Sequence, residues 1–348
     1  MSEQNTSTKA VQLWFTAPYQ VENRETVLPA PSADQILVRN RYSAVSAGTE
    51  LLVYRGQLPE SLALDSDLPS LQQSSSFPLQ YGYACVGEVQ QIGNAIDPSW
   101  KGRQVFSFQP HASHYLAGVD EVIRVPDDVS ARDAVFLPNM ETAVNLVHDG
   151  VPLLGERVVV LGQGVVGLLL TALLAEHPLA SLVVVEGQSC RQDMARRLGA
   201  DLVCTPGEAG NPGALSSDVQ RKLTDADLVY EVSGRPEALN LAIDLAGFAS
   251  RIVIGSWYGS KSAPVDLGGK AHRNRLRILT SQVSTLAPGL TGRWTKQRRF
   301  DIAWQMIRRI RPRQLITESV ALQEAGTLYR QLDQEKSGLL QLLFHYQD

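Results

Sequence analysis

Cysteine is nearly absent from this chain. Cys85, Cys190 and Cys204 stand far apart with no Cys-x-x-Cys, so neither a disulfide framework nor a cysteine-rich zinc lobe can be built. An excess of one charge is missing too. The 32 Lys and Arg against 36 Asp and Glu leave a net charge of −4, which excludes the strongly basic footprint of a general nucleic-acid binder. No apolar run approaches the roughly 18 residues of a membrane span. The opening stretch, MSEQNTSTKA, is polar and has no signal-peptide apolar centre. There is no internal repeat and no low-complexity segment. These absences predict a reduced, cytoplasmic protein with no nucleic-acid or membrane partner. At 348 residues the chain is long enough for two domains, each with its own core.

What is present is organised around residues 157–178, RVVVLGQGVVGLLLTALLAEHP. Val158–Leu161 is too short and too β-branched for a helix. Gly162, Gly164 and Gly167 follow with the spacing G-x-G-x-x-G, and Val165 and Val166 open a Leu/Ala-rich helix that stops at Pro178. In a strand–turn–helix unit each glycine has a task. Gly162 makes the turn, Gly164 admits a pyrophosphate, and Gly167 lets helix and strand pack closely. The pyrophosphate then sits on free N–H groups at the helix N-terminus. A second strand, Ser181–Val185, ends in Glu186, close to the distance at which an acidic residue meets the adenosine ribose. A carboxylate there accepts from both ribose hydroxyls and repels a 2′-phosphate, which favours NAD. Arg191 is the counter-argument, since arginine accommodates that phosphate, so NADP stays as the alternative.

Residues 9 to about 130 read as short strands between turns: Ala10–Phe15, Gln35–Tyr42, Ala84–Ile92 and Glu121–Val125. Residues 57–76, with Pro59, Pro69 and Ser74–Ser76, read as a loop of the length that caps a site or moves. Asn139–His148 reads as a helix leading to the glycine-turn strand. Beyond Glu186 the alternation continues with a helix at Arg191–Leu198, a strand at Leu228–Glu231 and a helix at Pro236–Ala246. Strands follow at Arg251–Gly255 and Arg277–Gln282. A helix buries Phe300, Ala303, Trp304 and Ile307 on one face. The chain closes with a helix near Leu322–Leu332 and a strand at Leu339–Phe344.

This order of elements resembles the medium-chain dehydrogenase/reductase superfamily. Ala47-Gly48-Thr49-Glu50 resembles its Cys-Gly-Thr-Asp, and residues 81–87, YGYACVG, resemble its Gly-His-Glu region. Tyr230-Glu231-Val232-Ser233-Gly234 is similar to the segment lining the nicotinamide, which implicates Ser233 in cofactor binding. The resemblance implies an α/β chain: a GroES-like β-rich domain at 1–138, a Rossmann doubly wound parallel-sheet domain at 139–289, and a C-terminal return at 290–348. It also implies a homodimer in which Arg277–Gln282 pairs across a two-fold axis.

The departures from the pattern matter as much. Where the zinc alcohol dehydrogenases supply a cysteine and a histidine to the catalytic metal, this chain has Ala47 and Tyr83, and the neighbouring glutamate is Ala84. A methyl and a phenol do not replace thiolate and imidazole as zinc ligands. The family's proton-relay histidine falls on Leu52. A zinc-free member is therefore expected. Its local wording at residues 45–56 and 78–83 is similar to the bacteriochlorophyllide dehydrogenases of photosynthetic bacteria. Residues 139–145, NMETAVN, are similar to a bacterial group classed with zinc-binding alcohol dehydrogenases.

Without zinc, candidates for the chemistry are Thr49 at the hydroxyl-relay position, Tyr83 in the vacated ligand position, and the carboxylates Glu50 and Glu141. His111 and His114 are candidate proton carriers, with His111 preferred. Each has a structural alternative: a turn hydroxyl, a packed tyrosine, a carboxylate paired with an arginine, a histidine lining a polar cleft. His111, His114 and Glu141 also make a conceivable His₂-carboxylate metal set, which their spacing does not specify. Tyr54 and Arg55 read as substrate contacts or a strand edge. The basic residues Arg293, Lys296, Arg298, Arg299, Arg308, Arg309, Arg311 and Arg313 form a solvated face or hold an acidic substrate. Two functional readings remain. One is an NAD(P)-dependent oxidoreductase acting on an alcohol/carbonyl pair of a small molecule. The other is a non-catalytic dinucleotide-binding sensor.

Overall fold

The computed structural model describes residues 7–58, 76–334 and 338–346. Most of the loop expected at 57–76 lies outside them. The chain forms two compact units: a terminal unit, Met1–Pro138 with Arg311–Asp348, and a central unit, Asn139–Ile310. Within the central unit, the last helix plants the side chain of Arg299 on Glu141 and Asn145.

The terminal unit begins with β1 (Thr8–Ala17), β2 (Gln20–Leu28), β3 (Gln35–Val45), α1 (Ala47–Tyr54), β4 (Cys85–Ile92), β5 (Gln104–Ser107), β6 (His114–Gly118), β7 (Val122–Arg124) and α2 (Ala131–Ala134). Strands β1 and β2 form an antiparallel ribbon. The sequence of β2, QVENRETVL, alternates half-buried and exposed residues and gave no apolar signal of its own, so its partner strand holds it in place. Residues 47–54, AGTELLVY, are a helix rather than the approach to a strand edge. Tyr54 is buried and stacks on Tyr329 at 5.4 Å, and Arg55 pairs with Asp333 at 2.6 Å, so both are structural in this unit.

The central unit follows with α3 (Leu137–Gly150), β8 (Arg157–Leu161), α4 (Val165–Leu174), β9 (Ser181–Val185), α5 (Ser189–Arg197), β10 (Leu202–Cys204), α6 (Pro206–Ala209), α7 (Ser217–Leu223), β11 (Ala226–Glu231), α8 (Ala238–Leu245), β12 (Ala246–Ile254), β13 (Arg277–Thr280) and α9 (Lys296–Ile310). The six strands are parallel in the order β10-β9-β8-β11-β12-β13. This is the doubly wound order, whose ligand crevice opens at the carboxyl ends of the strands where the order reverses, here between β8 and β11. Val158–Leu161, Leu182–Val185 and Leu228–Tyr230 are buried, as the near-continuous apolar strands of a sheet covered on both faces require. Ala246 opens β12 rather than closing the preceding helix, and β13 lies at the sheet edge.

The chain then returns to the terminal unit with β14 (Ile316–Ala321), α10 (Ala325–Gln334) and β15 (Gln341–His345). These complete a sheet in the order β14-β15-β3-β4-β5-β7, with β6 also paired to β3. Its core gathers Leu13, Phe15, Tyr54, Tyr329 and Phe344. Each such large side chain contributes about 1.5–3 kcal/mol by leaving water. Among the described residues, no helix is long and apolar enough to cross a membrane.

Candidate active site

In the central unit the three glycines behave as their spacing implies. Gly162 has φ +94°, and a Cβ there would lie 2.5 Å from the Cα of Ser233. A Cβ on Gly167 would lie 2.2 Å from the carbonyl oxygen of Gly162, so any side chain at that position forces α4 off β8. At Gly164, the residue before α4, a Cβ would meet nothing within 4 Å. Val165 and Val166 lie in the first turn of α4, the part of a helix whose N–H groups have no intrahelical partner and suit an anion.

Glu186 follows β9 and is buried. Its Oε2 accepts from the Gln163 N–H at 2.8 Å, and its Oε1 accepts from the N–H groups of Gly187 and Gln188 at 2.8 and 2.9 Å. A carboxylate oxygen offers about two acceptor sites, so Oε1 is filled and Oε2 keeps one. That site on Oε2 is open to a ribose hydroxyl. Arg191 lies in the first turn of α5 and is half-buried. At the end of β11, beside the crevice, Glu231 is fully buried. It accepts from the Ser233 N–H at 2.8 Å, from the Ser233 hydroxyl, and from the Tyr258 phenol at 2.5 Å. Burial, reinforced by the Glu231 carboxylate, raises the pKa of the Tyr258 phenol and keeps it protonated. The resemblance pointed to Ser233. Tyr258, 27 residues from its carboxylate, had no sequence signal.

In the terminal unit Thr49, Tyr83 and His111 occupy neighbouring elements, and a different set of side chains joins them. Ala47, Thr49, Ser46 and Tyr83 are half-buried, whereas Leu52 is core. The Thr49 N–H donates to the Ser46 carbonyl at 3.1 Å in the first turn of α1. The hydroxyls of Ser46 and Tyr83 are hydrogen-bonded to each other. Behind them, Glu50 and His111 are both 0% exposed. Glu50 Oε1 accepts from the Ser46 N–H at 2.7 Å, while Oε2 meets His111 Nε2 at 3.2 Å and accepts from the Tyr329 phenol. His111 Nδ1 meets the Ser43 hydroxyl at 2.7 Å, and that hydroxyl meets the Tyr346 phenol at 2.7 Å. Among the described residues, Glu50 therefore pairs with a histidine and a tyrosine rather than with an arginine. Burial above all, and the Glu50 carboxylate next, lift the Tyr329 phenol well above its ordinary value.

Glu141 belongs to the central unit and does not join Thr49, Tyr83 and His111 in this network. Its Oε1 accepts two bonds from the Arg299 guanidinium at 3.0 and 2.8 Å. Arg299, itself 0% exposed, also donates to Asn145 at 2.6 Å and to the carbonyls of Thr285 and Val283. That carboxylate is the counter-ion of a buried guanidinium. The basic stretch divides between the units in the same manner. Arg298 stacks on Trp294, Arg309 pairs with Glu176, and Arg313 with Asp133.

Zinc fits this donor set poorly. The ligand positions hold a methyl and a phenol, and both ring nitrogens of His111 are already engaged. His114 sits on β6 with Nδ1 3.1 Å from the Ser113 hydroxyl, and burial, with Arg39 nearby, lowers its pKa. Among the described residues, no group of three or more His, Cys, Asp or Glu side chains is placed to hold a metal ion. A nicotinamide dinucleotide fits the central unit well, through the open approach at Gly164, the first turn of α4 and the remaining acceptor site on Glu186.

Comparison with known proteins agrees with this architecture. Residues 165–297 match the family model described as zinc-binding dehydrogenase. The D-guloside 3-dehydrogenase of Escherichia coli K12 is 24% identical over 79% of this chain and 81% of its own length. The L-threonine 3-dehydrogenase of Saccharopolyspora erythraea is 31% identical over 65% of this chain and 70% of its own. An alcohol dehydrogenase of Escherichia coli CFT073, solved in complex with NADH, superposes with a TM-score of 0.76 at 17% identity, covering 97% of this chain and all of that one. The chain belongs to the zinc-binding dehydrogenase family, the medium-chain alcohol dehydrogenase-like group of NAD(P)-dependent oxidoreductases.

Proposed function

We propose that this member of the family works without catalytic zinc, oxidising or reducing an alcohol/carbonyl pair with Tyr83 as the group that exchanges a proton with the substrate oxygen. The observation that carries the reading is the Tyr83 phenol, half-buried and hydrogen-bonded to Ser46 at the position where the family pattern has a metal ligand. When bound, the dinucleotide accepts or supplies the hydride. The chain's own part is then to hold the substrate oxygen and to move one proton to or from it. Thr49, half-buried in the first turn of α1, is the second hydroxyl for that oxygen.

Glu186 favours NAD over NADP, since a carboxylate repels a 2′-phosphate. Relatives named for acting at the 3-position of a guloside and of threonine make small molecules with a secondary alcohol beside another polar group the first substrates to screen. A homodimer joined through the edge strand β13 and a cytoplasmic location complete the proposal.

The test is zinc analysis of protein purified without added metal, followed by NADH and NADPH titration and a substrate screen of the wild type and Y83F. Activity at near-zero zinc, tighter binding of NADH, and a kcat reduced roughly 100-fold or more in Y83F are expected. One zinc per chain, whose removal abolishes turnover, would overturn the zinc-free mechanism.

A further inference from the structure

We infer that Ser46 is the proton-exchange partner of Tyr83, and that the buried Glu50–His111 pair positions the two hydroxyls. The inference rests on the proposal that Tyr83 serves the substrate oxygen. It adds Ser46, which neither the family pattern nor the local sequence assigns to the chemistry, and gives Glu50 and His111 a positioning role.

The contacts close a ring. The Tyr83 hydroxyl bonds the Ser46 hydroxyl. The Ser46 N–H is held by Glu50 at 2.7 Å, and Glu50 is held in turn by His111 at 3.2 Å. The His111 N–H donates to the Tyr81 carbonyl at 3.2 Å. Its imidazole lies so close under Gly82 that a Cβ there would be 2.8 Å from His111 Cδ2, at a backbone φ of +121°. The chain from Tyr81 to Tyr83 therefore rests on His111, while Ser46 hangs from the carboxylate that His111 holds. Glu50 and His111 are both fully buried, and the Ser43 hydroxyl and the Tyr329 phenol occupy their remaining sides. A side chain held from several directions keeps its partners within the few tenths of an ångström that proton transfer demands.

The proton path has two members. As a substrate carbonyl takes up hydride, the Tyr83 O–H bond breaks and the substrate O–H bond forms, leaving the electron pair on the phenolate. In one concerted shift the Ser46 O–H proton passes to that phenolate while half-buried Ser46 takes up a proton from solvent, so the cycle consumes one H+ from the medium and no serine alkoxide forms. The path ends at Ser46, because its link to Glu50 runs through a backbone N–H, which does not relay a proton.

Ser46→Ala is a clean probe, since the Ser46 side chain makes no capping bond to α1. Two readouts are combined: steady-state kinetics, and the ¹³Cζ resonance of Tyr83 in cofactor-free protein labelled at tyrosine, assigned by its loss in Y83F. S46A should lower kcat roughly tenfold with KM little changed and should shift the Tyr83 resonance. S46T, which keeps a hydroxyl, should restore both. His111→Gln should lower kcat and broaden or move the same resonance. If Y83F is inactive but S46A keeps the wild-type kcat, the relay is wrong and the role of Tyr83 stands. If Y83F itself turns over normally, the proposed function falls, and this inference with it.

Discussion

Glu50 and Glu141 are both buried carboxylates, one in each unit, and the chain secures them in opposite ways. Glu141 meets a full cation. Arg299 spends its donors on that carboxylate, on Asn145 and on two backbone carbonyls. Glu50 meets a backbone N–H, an imidazole and a phenol. The difference teaches what each is for. An ion pair with every guanidinium donor used pins a loop and a helix to each other. A carboxylate satisfied by three separate donors fixes three separate elements relative to one another, and one of those elements presents Ser46 to Tyr83.

The largest expected effect breaks the ion pair. Arg299→Ala leaves Glu141 buried without its cation and should cost about 3–5 kcal/mol of stability, read from urea unfolding. Replacing both partners with apolar residues (Glu141→Leu with Arg299→Met) should recover part of this loss. Recovery should be incomplete, because the Val283 and Thr285 carbonyls lose their donor as well. A double variant no better than Arg299→Ala would mean that those carbonyls, not the carboxylate, are what Arg299 is there to satisfy.

A smaller effect is expected in the other network. Tyr329→Phe removes one of three donors to Glu50 and should cost about 1–3 kcal/mol, below the loss in Arg299→Ala. The reverse ranking would show that the Glu50 network is the more tightly coupled of the two.

The smallest effect concerns acid. His148, beside Trp294 at 4.4 Å, has its pKa lowered by burial and then by Arg299 and Arg298. A histidine depressed in the folded state contributes stability that is fully present above its ordinary value of about 6.5 and lost as pH falls through the lower folded value. His148→Gln should therefore flatten the acid side of the stability–pH curve and leave the neutral side in place. An unchanged acid limb would assign that loss to other groups, with His114 next in line.

The glycine turn and its acidic residue were legible because their geometry is local. Gly162, Gly164, Gly167 and Glu186 lie within 25 positions of sequence on one strand–helix–strand unit, and each glycine answers a steric demand of that unit. Thr49 and Tyr83 were legible only by their place in a family pattern. His111 was singled out as a proton carrier for its residue type, but its partners, Ser43 and Glu50, stand 68 and 61 positions away and were not legible. Tyr329 and Tyr346 reach the same network from 279 and 303 positions away, and no local pattern marks them. The carboxylate of Glu141 looked available for chemistry until Arg299, 158 positions on, was seen to occupy it.

By itself, then, the sequence determined the α/β plan, the dinucleotide turn and which residue types stand where the family pattern has its metal ligands. Each of these depends on residue type at short range, through β-branched runs, glycine sterics and ligand chemistry. Tertiary structure alone decided which buried polar groups face each other. A buried carboxylate must be satisfied by whatever donors the fold brings to it, and those donors come from strands and helices that are neighbours in space and strangers in sequence.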